Sequence, residues 1–198
     1  MMTKIKYITN EVESMLTLMT STVEEQSILI KQHLHEIDYI EKNSRKSEYR
    51  SLDDIKMVFG SFDYTEMSGG KIKINGNWTN ENIKLLQVGY HKLWLHKLIH
   101  PQTAGALAEI ISIGLDDKLN FHNGGGWVAR HINWNPDKPL SKHAYGVAFD
   151  FSPQIYPYGE NIKLHPEVSR ILEKWGFYLG QNFTTPDTMH VEFSTFPI

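Results

Sequence analysis

The chain has 198 residues, of which 40% are hydrophobic and 12% aromatic, with a formal net charge of -3 and no cysteine. That composition describes one folded domain with room for a small appendage. It excludes thiol nucleophiles, disulfides and cysteine-based zinc sites, and the lack of a basic field argues against binding nucleic acid through its backbone.

Met1 to Ile8 carries two lysines with no apolar run behind them, so neither a secretory signal nor a transmembrane helix is expected. The expectation is a protein made in the cytoplasm, without stable membrane insertion, that meets any extracellular substrate only after release or delivery. From about Thr3 to Lys42 apolar residues recur by threes and fours, at Ile8, Val12, Met15, Met19 and Val23 and again at Ile30, Leu34, Ile37 and Ile40. The pattern predicts an N-terminal helical segment, suited to self-association or partner docking, or to packing on the main domain. Residues 41–54 are charged and aperiodic and read as a linker or helix end. The domain organisation is therefore a helical segment and linker over 1–50 and a main domain over 51–198.

Between Phe59 and Trp78, Gly60, Gly69-Gly70 and Asn75-Gly76 mark turns, while Lys71, Ile72, Lys73 and Ile74 alternate as a half-exposed strand does. A hairpin is expected to open the main domain. Asn82 to Val88 is compatible with a strand, and Tyr90 to Leu98 has no clean period. His91, His96 and His100 lack a carboxylate at ligand spacing and read as scattered surface or core histidines. Pro101 then opens a helix with Ala104, Leu107, Ala108 and Ile111 on one face and Gly114 as its stop. Leu119 and Phe121 alternate as a short strand, and Gly124, Gly125 and Gly126 form a permissive loop without the ending of a P-loop.

The stretch from Trp127 to Phe151 carries the chemistry. Val147, Ala148, Phe149, Asp150 and Phe151 read as a short buried strand, which puts the Asp150 carboxylate where an apolar side chain belongs. Such a charge needs a cationic partner. Lys142 is one candidate; His143 with a metal ion is a better one, because Gly146 permits a turn that folds His143 back beside the strand. Beyond it, the Pro- and aromatic-rich loop from Ser152 to Asn161 is suited to walling a cleft. Pro166 begins a last helix with Val168, Ile171, Leu172 and Trp175 buried and Gly176 as its end. In the closing strand Met189, Val191 and Phe193 alternate with His190 and Glu192, so His190 and Glu192 share a face.

Two histidines and one carboxylate leave a fourth tetrahedral position for water, the layout of a catalytic rather than a structural zinc. Such a metal lowers the pKa of its water to about 7, and a free carboxylate nearby can take the proton. Asp187 and Glu192 are the candidates.

Ser141, His143, Gly146, Ala148 and Asp150 in SKHAYGVAFD, with Asp187 and His190 in DTMHVEF, resemble the signature of the zinc D-alanyl-D-alanine carboxypeptidases and the related L-alanyl-D-glutamate endopeptidases of phage endolysins. The resemblance covers roughly Val58 to Phe196. It implies an α+β fold, a small mainly antiparallel sheet with helices packed on it, and Zn2+ held by His143, Asp150 and His190. It makes Asp187 the general base and Arg130 the group that holds the scissile carbonyl oxygen or a substrate carboxylate. The alternative for Arg130 is a surface ion pair with Asp137. Ser141 either contacts substrate or caps the turn through its hydroxyl, and Glu192 is assigned to orienting a histidine from behind. The implied substrates are the peptide stems of bacterial peptidoglycan, and the implied setting is a phage or prophage lysis enzyme. Two features depart from the family pattern: LGQNF, Leu179 to Phe183, replaces a Gly-Gly-Asp-Trp-like element, and the base is Asp where many relatives have Glu. The alternatives are a binding module that has lost catalysis and an assembly protein acting through its N-terminal helices.

Overall fold

The computed structural model describes residues 51–120 and 125–197. The helical segment expected over Thr3–Lys42, its self-association, and positions Phe121 and Gly124 lie outside the described residues.

The charged stretch expected to act as a linker ends in a helix start. Ser51 Oγ accepts a hydrogen bond from the Asp54 backbone N–H, and the Asp54 carboxylate accepts one from the Ser51 N–H, both at 3.1 Å. This reciprocal capping satisfies two orphan donors, stabilises the terminus by about 1 kcal/mol, and starts α1, Leu52–Phe59, which buries Ile55 and Phe59.

The anticipated hairpin is present as β1, Tyr64–Glu66, paired antiparallel with β2, Ile72–Ile74. Its alternation is as read: Ile72 is buried, and Lys71 and Lys73 are exposed. A short helix α2, Trp78–Asn82, leads into a second antiparallel hairpin of β3, Ile83–Val88, and β4, His91–His96. In β4 the inward positions are His91, Leu93 and Leu95, with His96 buried at its end and Lys92 and Trp94 exposed. Two of those buried positions are histidines, which hid the strand period.

Helix α3, His100–Ser112, begins where Pro101 predicts, but its buried face is Gln102, Thr103, Ala106, Leu107 and Ile110. The expected face is thus rotated by about one residue, and Ala108 is exposed. Two polar residues enter the core with their donors engaged: Gln102 Nε2 donates to the Trp175 carbonyl at 3.0 Å and Thr103 Oγ1 to the Ile99 carbonyl at 2.7 Å, although Gln102 Oε1 is buried without a partner among the described residues. Leu119 is buried after a 3-10 turn, Asp116–Lys118, rather than in a strand.

Helix α4, Pro166–Lys174, buries Val168, Ile171 and Leu172 as expected. Trp175 lies half-buried across α3, where a Cβ on Gly105 would come within 2.2 Å of its ring. The remaining strands are β5, Ala148–Asp150, β6, Phe177–Leu179, and β7, His190–Phe193. They form one antiparallel sheet in the order β5-β7-β6. The fold is α+β; the described residues form three small antiparallel sheets with helices packed around a common core.

Val147, Phe149 and Phe151 flank and fill β5 and are no more than 1% exposed. Each such side chain contributes about 1.5–3 kcal/mol by leaving water. The strand that carries Asp150 is therefore anchored by its neighbours on both sides. Among the described residues, no helix is long and apolar enough to cross a membrane.

Candidate metal centre

The site begins at a left-handed glycine. Ser141 to Gly146 form a 3-10 turn, Lys142–Tyr145, capped at its start by Ser141 Oγ, which accepts from the His143 N–H at 3.3 Å. Gly146 closes it with φ 65°. A Cβ there would lie 2.6 Å from Ile83 Cδ1 and 2.8 Å from the His96 nitrogen. Only glycine fits, and this tight closure folds His143 back against β5, as the sequence suggested.

His143 is nearly fully buried, and its Nδ1 lies 2.6 Å from the Gly126 carbonyl oxygen. A carbonyl only accepts, so Nδ1 carries the proton and Nε2 presents a lone pair. His190 is fixed in the opposite sense, with Nε2 3.3 Å from Glu192 Oε2 and Nδ1 turned inward. The inward atoms converge. His143 Nε2 is 3.2 Å from His190 Nδ1, and Asp150 Oδ1 lies 3.0 Å from His190 Nδ1 and 3.2 Å from His143 Nε2. Four ligands at about 2.0–2.1 Å around a tetrahedral zinc sit roughly 3.3 Å apart. Three lone-pair donors at almost that spacing, each histidine having its other nitrogen engaged behind it, fit such a cation. Among the described residues, His143, Asp150 and His190 are the group that could hold a metal ion.

The sheet register supplies two of the three donors. Asp150 on β5 and His190 on β7 are directly paired. The backbone of Asp150 also exchanges two hydrogen bonds with Gly125, at 2.8 and 3.0 Å. That bridge holds the glycine loop against the strand and carries Gly126 to His143.

The electrostatics follow from this packing. Burial alone would push the Asp150 pKa up, but in the metal-free protein the imidazoles of His143 and His190 beside its carboxylate outweigh burial and hold it well below the usual carboxylate range. Burial likewise opposes a charged His190, yet Asp150 and Glu192 hold its pKa up at about 9 in the metal-free protein. A dication at the three inward atoms would take the place of that proton.

Glu192 stands behind His190, where the sequence placed it. Its second oxygen accepts from Lys142 Nζ at 3.0 Å, and Lys142 also donates to the Phe193 carbonyl at 3.3 Å. Lys142 is thus the partner of Glu192 and not of Asp150, a correction that depends on β7 lying beside the 3-10 turn. Burial raises the Glu192 pKa, and the stronger pull of His190 and Lys142 brings it below its ordinary value.

Asp187 and Arg130 face the same cavity, of about 540 Å³, together with Ser141, His190 and Glu192. Asp187 sits in the turn before β7, its N–H bonded to the Gly180 carbonyl and its carbonyl accepting from the His190 N–H, both at 2.9 Å. Gly180 belongs to the LGQNF element, and a Cβ there would lie 2.2 Å from the Asp187 carbonyl oxygen. The departure from the family pattern therefore builds the turn that presents the acid. Burial raises the Asp187 pKa, and its Oδ1 is buried without a hydrogen-bond partner among the described residues. Arg130 Nε is likewise buried and unpartnered. Its guanidinium donates to the His131 carbonyl at 3.2 Å and lies 5.1 Å from the Trp134 ring centre, rather than pairing with Asp137. Burial pushes its pKa down, partly offset by Asp150 and Asp187. Tyr158 brings the expected Pro- and aromatic-rich loop to the cavity wall.

Three supporting parts were not read from the sequence: the Gly126 carbonyl, the Lys142–Glu192 pair and the Trp134 ring over Arg130. The glycine run before Trp127 was the one local signal for the first. The other two depend on contacts across the chain.

Two histidines and a half-buried aspartate that could hold a metal ion, with His190 and a further acid, Asp187, on the adjoining cavity, are parts that metal-assisted hydrolysis would use. A family model described as D-alanyl-D-alanine carboxypeptidase matches residues 134–193. The matched region is similar to that peptidase family and contains Ser141, His143, Asp150, Asp187, His190 and Glu192. The match is narrower than the Val58 to Phe196 span of the resemblance, and Arg130 falls outside it. No curated protein and no solved structure matches the chain.

Proposed function

We propose that the protein is a zinc-dependent peptidase that hydrolyses the peptide stems of bacterial peptidoglycan, as a D-alanyl-D-alanine carboxypeptidase or an L-alanyl-D-glutamate endopeptidase, in the setting of phage or prophage lysis. Within this proposal, residues 51–198 are the catalytic domain. The observation that carries the reading is the convergence of three lone-pair donors near a half-buried carboxylate, one of whose oxygens is buried without a partner among the described residues, inside the family-matched region.

His143, Asp150 and His190 would hold the zinc, which when bound supplies a polarising charge for the substrate carbonyl and an acidified water. Asp187 would take the proton of the attacking water and give it to the leaving amine, and the rise of its pKa by burial suits both halves of that task. Arg130, with one buried donor uncommitted, takes the scissile carbonyl oxygen or a substrate carboxylate. Trp134 holds its plane. Glu192 keeps the proton of His190 on Nε2, and Ser141, whose hydroxyl caps the turn, lines the cavity where substrate would bind.

The test is digestion of purified peptidoglycan followed by mass spectrometry of the products. Release of D-alanine or of fragments cut within the stem, lost with chelator and regained with zinc, is the expected result. Full activity in a preparation free of metal by elemental analysis would overturn the mechanism, and an unchanged wall would overturn the substrate class.

A further inference from the structure

Lys142 lies between the residue that caps the 3-10 turn and the first of the three inward donors, yet its side chain is only 11% exposed. Lysine ammonium groups are almost never buried to this degree unless paired. This one reaches Glu192 Oε1 at 3.0 Å and the Phe193 carbonyl at 3.3 Å, while Glu192 Oε2 faces His190 Nε2 at 3.3 Å. One carboxylate, itself 13% exposed, is therefore shared by an ammonium and an imidazole.

The two bonds of Glu192 do different work. An Asp or Glu side chain on a strand can rotate about its terminal torsion almost freely, so the bond to His190 alone leaves the carboxylate plane unset. Lys142 fixes the other oxygen, and its second contact, to the Phe193 backbone, ties it to the strand that carries both His190 and Glu192. With Glu192 held, His190 keeps its proton on Nε2 and its Nδ1 lone pair toward Asp150 and His143.

We propose that Lys142 is a positioning residue of the metal centre, acting through Glu192 to orient His190 and so to set metal affinity. The inference rests on the proposed zinc site. Supporting partners behind a metal ligand typically change affinity by about 10–100-fold when removed, and Lys142 stands one step further back.

The test measures zinc affinity by competition with a chromophoric chelator, and the visible absorption of the cobalt-substituted protein, for wild type, Lys142→Met, Lys142→Arg, Glu192→Gln and the Lys142→Met/Glu192→Gln double variant. Thermal melts check folding, with Lys142→Ala in place of Met if Met does not fold. Lys142→Met is expected to weaken zinc binding about tenfold and to alter the cobalt spectrum, and Lys142→Arg to restore much of both. Because the lysine acts through Glu192, the double variant should bind no more weakly than Glu192→Gln alone. Wild-type affinity in Lys142→Met, or losses that multiply independently in the double variant, would overturn the proposal. A wild-type protein that binds no zinc would instead remove the metal centre itself, and the role of Lys142 with it.

Discussion

Replacing Asp187 by Asn separates proton transfer from metal binding. The substitution keeps the shape of a side chain whose Oδ1 is buried and unpartnered and whose backbone is tied at both ends, to Gly180 and to His190. Asp187 is not one of the three converging donors, so zinc content should remain near stoichiometric. A positioned general base contributes about 10²–10⁴ in rate, which at about 1.4 kcal/mol per tenfold corresponds to roughly 3–5.5 kcal/mol of barrier. Turnover of Asp187→Asn should fall by that factor in a discontinuous assay of released amines, with zinc measured on the same sample. The charge logic adds a check that does not depend on turnover. In the metal-free protein, burial raises the Asp187 pKa above its ordinary value. A bound dication favours the carboxylate, so zinc should move the Asp187 resonance titration to lower pH, and by reciprocity zinc should bind more tightly as Asp187 loses its proton. An Asp187→Asn protein that stays active while Glu192→Gln is dead with zinc bound would refute the assignment of the base. A titration unmoved by zinc would refute the placement of Asp187 beside the metal.

Two further outcomes follow from the geometry. Arg130→Ala should lower kcat by roughly a hundredfold with zinc content and melting temperature intact, as loss of one stabilising donor does; a loss of stability with normal kcat would make the Trp134 stack a purely structural contact. Gly146→Ala combines a left-handed backbone, about 1–2 kcal/mol for an L-residue, with contacts inside 3 Å to Ile83 and His96. Urea unfolding should show a loss of roughly 2–5 kcal/mol, and a change under about 0.5 kcal/mol would mean that the turn yields more easily than its packing indicates.

What could be read from the sequence was local or periodic. The fold of His143 back onto β5 was legible because Gly146 sits three residues from it, and His190 and Glu192 shared a face because strands alternate. Strand β4 was obscured by its buried histidines, which break an apolar pattern without breaking the strand. Helix α1 was missed because its capping signal, Ser51 with Asp54, lies at the end of a charged run. The face of α3 turned by about one residue because Gln102 and Thr103 find carbonyl partners in the core, one of them on the far segment at Trp175. Lys142 was offered to Asp150, a neighbour in sequence; its actual partner, Glu192, is 50 residues away. Long-range partners of this kind are set by strand pairing and have no local signature.

The direct pairing of Asp150 with His190 makes the β5–β7 register a gauge for the whole centre. Along β7, Val191 and Phe193 are wholly buried, while His190 and Glu192 face the cavity side. Were β7 to pair one residue out of step, every side chain would change faces: an imidazole and a carboxylate would enter the core and a valine would stand among the metal donors. Misassembly would thus incur a polar-burial cost and lose its apolar packing in the same movement. The hydrophobic core in this way proofreads the chemistry. A chain that has packed Val191 and Phe193 correctly has already aligned His190 with Asp150, before any ion arrives to reward it.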